Sequence, residues 1–436
     1  MTSRWFALCG LVALHSPLSA QRPSPAGAEP ALVRFIDIHN AEAEALLERI
    51  VNINSGTLNL AGVREVGRVL RAELDALSFT TRWEDGGPFK RAGHLVAEHN
   101  GKGTRLLLIG HLDTVFEEDS PFQRFERIDA TTARGPGIID MKGGDVIIVQ
   151  ALKALKAAGL LDNMNVTVIM TGDEEAPGEP RELARRSLLL AAKRSDVAIG
   201  FEDGSGDPRK AVIARRGYTS WTLRVTGTAA HSSQIFREEF GPGAVFETAR
   251  ILNGFRERLA GQQYLTFSPG IALGGTTVGL DSTGTRGTAF GKDNIIAEHM
   301  LAKGDLRILS PAQLAETKSI MQSIAAQSLP HTSAVLTFDD GYPPLPPTDG
   351  NRRLLSIYDQ VSRDLGFDSV AATDPMRAGA ADVSFTSGIV PMAIDGIGLA
   401  GHDDHTAKET ADLSALPMLT KRAAVLFYRL TRGPIP

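Results

Sequence analysis

Carboxylates and histidines recur where runs of apolar residues end. His111 and Asp113 directly follow the apolar run Leu106-Leu-Leu-Ile-Gly110, and their i, i+2 spacing points both side chains the same way along an extended backbone. Alone, His-x-Asp is an ordinary polar end to a strand. Asp140, however, lies in a glycine-rich loop ahead of a helix, Glu174 and Glu175 close the next β-branched run, and Glu202 closes the one after that. Successive strand ends therefore aim acids at one place. Carboxylates that converge without a cation repel one another and raise each other's pKa values, so bound metal, one ion or two, is the lower-energy reading. Histidine with carboxylate and no thiolate suits zinc or a similar first-row ion. The only cysteine, Cys9, sits in the apolar N-terminal stretch, and the tail segment Gly401-His-Asp-Asp-His405-Thr-Ala-Lys-Glu409 offers two histidines, one of which would complete the set.

These residues need an alternation of strands and helices to position them. From Glu29 to Gly110 the pattern predicts two amphipathic helices, then strands over His94–His99 and Thr104–Gly110 with Asn100-Gly-Lys-Gly103 as the turn between them. Gly135-Pro-Gly137 and Gly143-Gly144 lead into a helix through Leu160. A strand over Asn165–Thr171, a helix over Glu182–Lys193 and a strand over Asp196–Phe201 follow. The fold class expected is α/β: a mixed, mostly parallel sheet with helices on both faces. In such sheets ligands bind at the C-terminal ends of the strands.

Around Ala214 the texture changes. Strand Tyr218–Val225, helix Pro242–Leu259, an extended pair ending at Leu306, helix Pro311–Leu329 and strand Ser333–Phe338 read as a β-α-β-β-α-β insert, an α+β ferredoxin-like lid or dimerisation domain. Pro343-Pro344-Leu-Pro346-Pro347 is the stiff return. Helix Arg352–Gly366, strand Pro391–Asp395 and helix Leu413–Arg432 complete the first domain. The expected division is 1–20 as a signal peptide, 29–213 and 341–436 as the two parts of a catalytic domain, and 214–340 as the insert.

A chain of 436 residues with 42% hydrophobic content can bury a full core and build one large domain and a smaller one. A formal net charge of -5 leaves no electrostatic footprint for nucleic acid and points to a small-molecule partner. Residues 1–20 have the charged start, short apolar middle and small-residue end of a secretory signal, too short to span a membrane. The expected location is secreted or periplasmic, with no membrane span after cleavage. Phe6-Ala7-Leu8 is a poor lipobox, which argues against a lipid anchor on Cys9.

The chain resembles the M20 family of metallopeptidases, the group that contains glutamate carboxypeptidase, acetylornithine deacetylase, succinyl-diaminopimelate desuccinylase and aminoacylase. The resemblance rests on Gly110-His-Leu-Asp113, Gly135-Pro-Gly-Ile-Ile-Asp-Met-Lys-Gly-Gly144, Thr171-Gly-Asp-Glu-Glu175, Gly200-Phe-Glu202, Gly227-Thr-Ala-Ala-His231-Ser and His405-Thr-Ala-Lys-Glu409, in that order. It implies a zinc exopeptidase-like fold and two zinc ions, with Co²⁺ or Mn²⁺ as substitutes. Asp140 would bridge them, His111 and Glu202 would hold one, and Glu175 and His405 the other. Asp113 would accept the second ring N–H of His111 and fix its tautomer. Glu174, free beside a ligand, would be the general base. His231 would reach across a homodimer interface to stabilise the oxyanion. Asn294, Arg307 and Gly379 match positions near the substrate, Arg307 as a carboxylate clamp; an ion pair with an acid of the insert explains Arg307 equally well, and a tight turn explains Gly379. Asp382 lies in the same cleft-lining segment as Gly379.

The implied activity is hydrolysis of an amide bond next to a free carboxylate, by a carboxypeptidase or dipeptidase, with an N-acyl-amino-acid amidohydrolase as the alternative. Departures bear on specificity. Ala297 stands where the family often has proline, and Tyr342 where close relatives have an arginine that helps hold a C-terminal glutamate. His402 competes with His405, and the spacing to Glu409 favours His405. A metal-binding relative without catalysis would lack the base or a ligand, and none is missing here.

Overall fold

The computed structural model describes residues 27–281 and 284–433; the expected signal peptide, 1–20, lies outside them. The central sheet has the order Thr80–Asp85, Gly93–His99, Met164–Thr171, Lys102–His111, Val197–Gly200, Met392–Ile394. The last four strands run parallel, and the first two form an antiparallel edge. This is the mostly parallel α/β sheet that the strand-helix alternation implied. Period two is visible in its burial: Leu106 and Leu108 join the core on one face, Leu107 and Ile109 the core on the other. Helices Gly143–Ala157 and Ala415–Thr431 cover the first face, while Leu188, Ala191 and Ala192 cover the second.

Several expectations need correction. Three helices, Glu29–Ile38, Asn40–Val51 and Leu60–Ala76, precede the sheet rather than two, and the edge strand Thr80–Asp85 was missed. Strands Gly93–His99 and Lys102–His111 are sequence neighbours but do not pair, because Met164–Thr171 inserts between them. Gly101 permits this crossing: a Cβ there would lie 2.3 Å from the Met164 carbonyl oxygen. The helix expected over Glu182–Lys193 is broken into Arg181–Ala184 and Arg186–Ala192 at Arg185, whose backbone leaves helical geometry and whose side chain reaches buried acids.

Residues 217–340 contain a second, fully antiparallel four-stranded sheet in the order Thr266–Gly275, His299–Ile308, Gly217–Thr226, Ser333–Asp340. Helices Gly243–Leu259 and Pro311–Ala325 pack on one face through Trp221, Leu223, Val225, Ile251 and Phe255. The chain leaves and re-enters side by side, with Arg215 and Leu345 exchanging both backbone hydrogen bonds at 2.9 Å. Among the described residues, no helix is long and apolar enough to cross a membrane.

Candidate active site

Strands Lys102–His111, Met164–Thr171 and Val197–Gly200 end side by side, and the polar residues that follow them converge. His111 is buried, with Nδ1 3.0 Å from the Asp113 backbone carbonyl and 3.5 Å from the Asp113 carboxylate. The nearer acceptor is thus the backbone. The Asp113 carboxylate stays within reach of the same ring nitrogen, as a second, longer contact. The fully buried Asp113 carboxylate also accepts Thr57 Oγ1 at 2.7 Å and the backbone N–H groups of Glu174 and Glu175 at 3.0 and 3.1 Å. Burial opposes its ionisation, but His111, Thr57 and the Glu174 N–H outweigh burial and hold the carboxyl below its usual range.

Asp140 stands between the two histidines. Its Oδ1 is 3.1 Å from His111 Nε2, and its Oδ2 is 2.9 Å from His405 Nε2. Glu202 Oε1 lies 3.6 Å from the same His111 nitrogen, and Glu175 Oε2 lies 3.3 Å from that of His405. The tail histidine at the site is therefore His405; His402 instead belongs to a short strand paired with Thr410. The backbone that delivers Asp140 is the turn Ile138–Lys142, running into helix Gly143–Ala157. Gly144 brings this helix close to the strand end, where a Cβ would meet the Phe201 carbonyl at 2.0 Å. A short sheet pairing Thr132–Arg134 with Thr410–Asp412 sets the His405 loop beside the Asp140 turn.

Ligand atoms of His111, Asp140 and Glu202 lie within 4.8 Å of one another, as do those of Asp140, Asp404 and His405. Asp404 was not anticipated: it is an exposed neighbour of His405, with no periodic or strand-end signal in the sequence. Burial, then the charge of Asp140, pushes Glu175 up to about 7, and its Oε1 is buried with no hydrogen-bond partner. The hydrogen bonds to Asp140 and Glu175 push His405 up to about 11. Burial and neighbouring acids also raise Glu174 and Glu202 well above the carboxylate range. An orphaned acceptor, crowded carboxylates and two imidazoles aimed at one bridging acid fit a bound metal centre.

A second network was not legible in sequence. Buried Arg185 donates to Asp173 Oδ1 and to Tyr342 Oη, both at 2.6 Å, and its Nε lies 2.8 Å from Asp382 Oδ1. Tyr342 in turn donates to the Glu174 carbonyl at 3.0 Å. The peptide of Glu174 is thus pinned at its N–H by Asp113 and at its carbonyl by Tyr342. Asp382, flagged only as a cleft residue, also accepts Thr171 Oγ1 at 2.6 Å.

The remaining predicted residues make their hydrogen bonds and ion pairs to other partners. His231 and Asn294 are exposed neighbours on the insert, joined by the Ser232 N–H to Asn294 carbonyl bond at 2.9 Å. His231 Nδ1 accepts the Ser233 N–H at 3.2 Å and lies 2.8 Å from Ser233 Oγ, so Nε2 is the ring nitrogen left to donate elsewhere. Arg307 pairs with Asp305 at 3.1 Å, the ion pair within the insert that the sequence had left open. Gly379 has open space where a side chain would begin, and its carbonyl accepts Arg215 Nη1 at 2.8 Å.

The family model described as peptidase family M20/M25/M40 matches residues 107–429. The chain belongs to this family. As an M20 peptidase it is a metal-dependent hydrolase of peptide or amide bonds. It is similar to carboxypeptidase G2 of Pseudomonas sp. (strain RS-16), 27% identical over 395 residues that cover 89% of each chain. A shorter match, 34% identical over 165 residues, joins 36% of it to 40% of acetylornithine deacetylase from Proteus mirabilis (strain HI4320). The same fold is seen in aminopeptidase PepT from Bacillus cereus ATCC 10987, with a TM-score of 0.68 at 16% identity, covering 90% of this chain and 99% of that one. It is seen too in a dinuclear metal-binding M20 peptidase from Bacillus subtilis, with a TM-score of 0.61 at 15% identity, covering 91% and 99%.

Proposed function

We propose that this M20 peptidase is a two-zinc exopeptidase of the carboxypeptidase or dipeptidase type, hydrolysing an amide bond next to a free carboxylate. The observation that carries this reading is Asp140, whose two oxygens face His111 and His405 separately. Asp140 would bridge two ions, with His111 and Glu202 on one and Glu175 and His405 on the other; Asp404 is close enough to join the second set. Bound zinc would supply Lewis-acid polarisation of the amide carbonyl and acidify a water molecule.

The residues of the chain supply the rest. Glu174 is raised well above the usual carboxylate range, first by burial. That basicity suits it to take a proton from water on its carboxylate and return it to the leaving amine. Asp113 and Tyr342 hold its peptide in place. Exposed His231, with Nε2 as its remaining donor, would serve a second copy of the chain as the oxyanion partner. Exposed Phe236 and Phe246, packed edge-to-face at 5.3 Å, add apolar surface near it and support a homodimer. Asn294, Arg307 and Gly379 would line the substrate path. The leader-like 1–20 supports a secreted or periplasmic location.

The local similarity to acetylornithine deacetylase keeps N-acyl-amino-acid hydrolysis as a second reading. The test is a panel of N-acyl amino acids and dipeptides with and without zinc, beside Glu174→Gln. Zinc-dependent release of a free amino acid, reduced about 10²- to 10⁴-fold in the variant, supports the mechanism, and the turned-over substrates decide between the two readings. Equal turnover by wild type and variant removes Glu174 from the mechanism.

A further inference from the structure

Glu409 lies four residues beyond His405 and has no surface exposure. Its side chain crosses to the other ligand-bearing loop. Oε2 accepts the Gly137 N–H at 2.9 Å, and Oε1 accepts the N–H groups of Ile139 at 2.9 Å and Asp140 at 3.3 Å. The Gly135 N–H adds a bond to the Glu409 carbonyl at 3.4 Å. A carboxylate cradled by successive backbone N–H groups is a strong, charge-assisted contact. Here it ties the turn carrying Asp140 to the loop carrying His405, and the two ligand side chains meet at 2.9 Å directly beside the tie.

We infer that Glu409 is a positioning residue that sets the separation of Asp140 and His405, and with it the affinity of the centre for metal. The inference rests on the metal reading of the site. Glutamine at 409 keeps the length but replaces one acceptor oxygen with a donor. That NH₂ group would face a backbone N–H, so at least one bond of the cradle is lost and the turn is free to shift. Partners that orient metal ligands typically govern affinity by about 10- to 100-fold.

A purely structural role predicts a different outcome, and a second buried carboxylate separates the two. Glu247 in the insert is equally buried and binds Arg250 at 2.7 Å and the Leu329 N–H at 3.3 Å, far in sequence from the ligands. Both Glu409→Gln and Glu247→Gln should melt below wild type. Zinc affinity, measured on demetallated protein by competition with a chromophoric chelator, should fall about 10- to 100-fold in the first and stay at the wild-type value in the second. Glu409→Asp, which is shorter by one methylene, should fall between, and it carries the test if the glutamine variant does not fold. Wild-type zinc affinity in both Glu409 variants overturns the inference. A wild type that binds no zinc overturns the metal reading itself, and this inference with it.

Discussion

Removing the metal should make the stability of this protein depend on pH in a defined direction. In metal-free protein Glu175 is held up at about 7 against an ordinary 4.5, so the folded state keeps this proton to higher pH than the unfolded chain does. Folding therefore loses stability as pH rises from about 4.5 to about 7, and the penalty is complete above that. A shift of about 2.5 pKa units corresponds to roughly 3 kcal/mol. At about 2 cal/mol/K per residue of unfolding entropy, a chain of this length would melt about 4 °C lower. His405, raised to about 11, acts in the same direction: its favourable contribution is complete below its ordinary 6.5 and is lost as pH climbs toward 11. Asp140, held well below its ordinary value, contributes fully above about 4 and leaves the window flat. With zinc bound, Glu175 would be ionised throughout and its part of the slope would vanish. The assay is thermal melting of chelator-treated and zinc-reconstituted protein between pH 5 and 8, with Glu175→Gln as control. The gap between the two forms should widen with pH, and its slope should be shallower in the control by the share of Glu175. A metal-free melting temperature that stays level or rises over this range would refute the reasoning.

Asp113→Ala should strand the Thr57 hydroxyl and the Glu174 and Glu175 N–H groups, at about 1–3 kcal/mol for each donor that water does not reach, a loss read from the urea midpoint at unchanged m-value. Tyr342→Phe keeps the ring against Tyr218 and Phe385 but removes the bond to the Glu174 carbonyl; kcat should drop several-fold, by about 1 kcal/mol, with KM and zinc stoichiometry unchanged, whereas a fall in melting temperature alone would make Tyr342 merely structural. Phe236→Asp should shift a dimer toward monomer by light scattering and reduce turnover, because His231 then loses the site it serves; a monomeric wild type would remove the oxyanion role of His231.

Much of this protein is legible in its sequence because apolar period and strand-end chemistry are local. The runs ending at Gly110, Thr171 and Gly200 announce buried strands, and residues placed just after them must emerge together at one edge of a parallel sheet. His111, Glu174, Glu175 and Glu202 are legible that way, and Asp140 by the glycine-rich loop that leads into a helix. The order of the motifs, Gly110-His-Leu-Asp113 through His405-Thr-Ala-Lys-Glu409, supplied the family and singled out His405. The alternating strand from Gly217 likewise exposed the change of texture at the insert.

What tertiary structure decided depends on contacts between segments far apart in the chain. Nothing local in Arg185 shows that its guanidinium will bridge Asp173, Asp382 and Tyr342, and a helical pattern reads straight through the break at that residue. The insertion of Met164–Thr171 between two sequence-adjacent strands, and the reach of Glu409 to the Asp140 turn, are likewise invisible to periodicity. A hydrogen bond needs a partner brought within about 3 Å, and only the folded chain determines which distant residue that is.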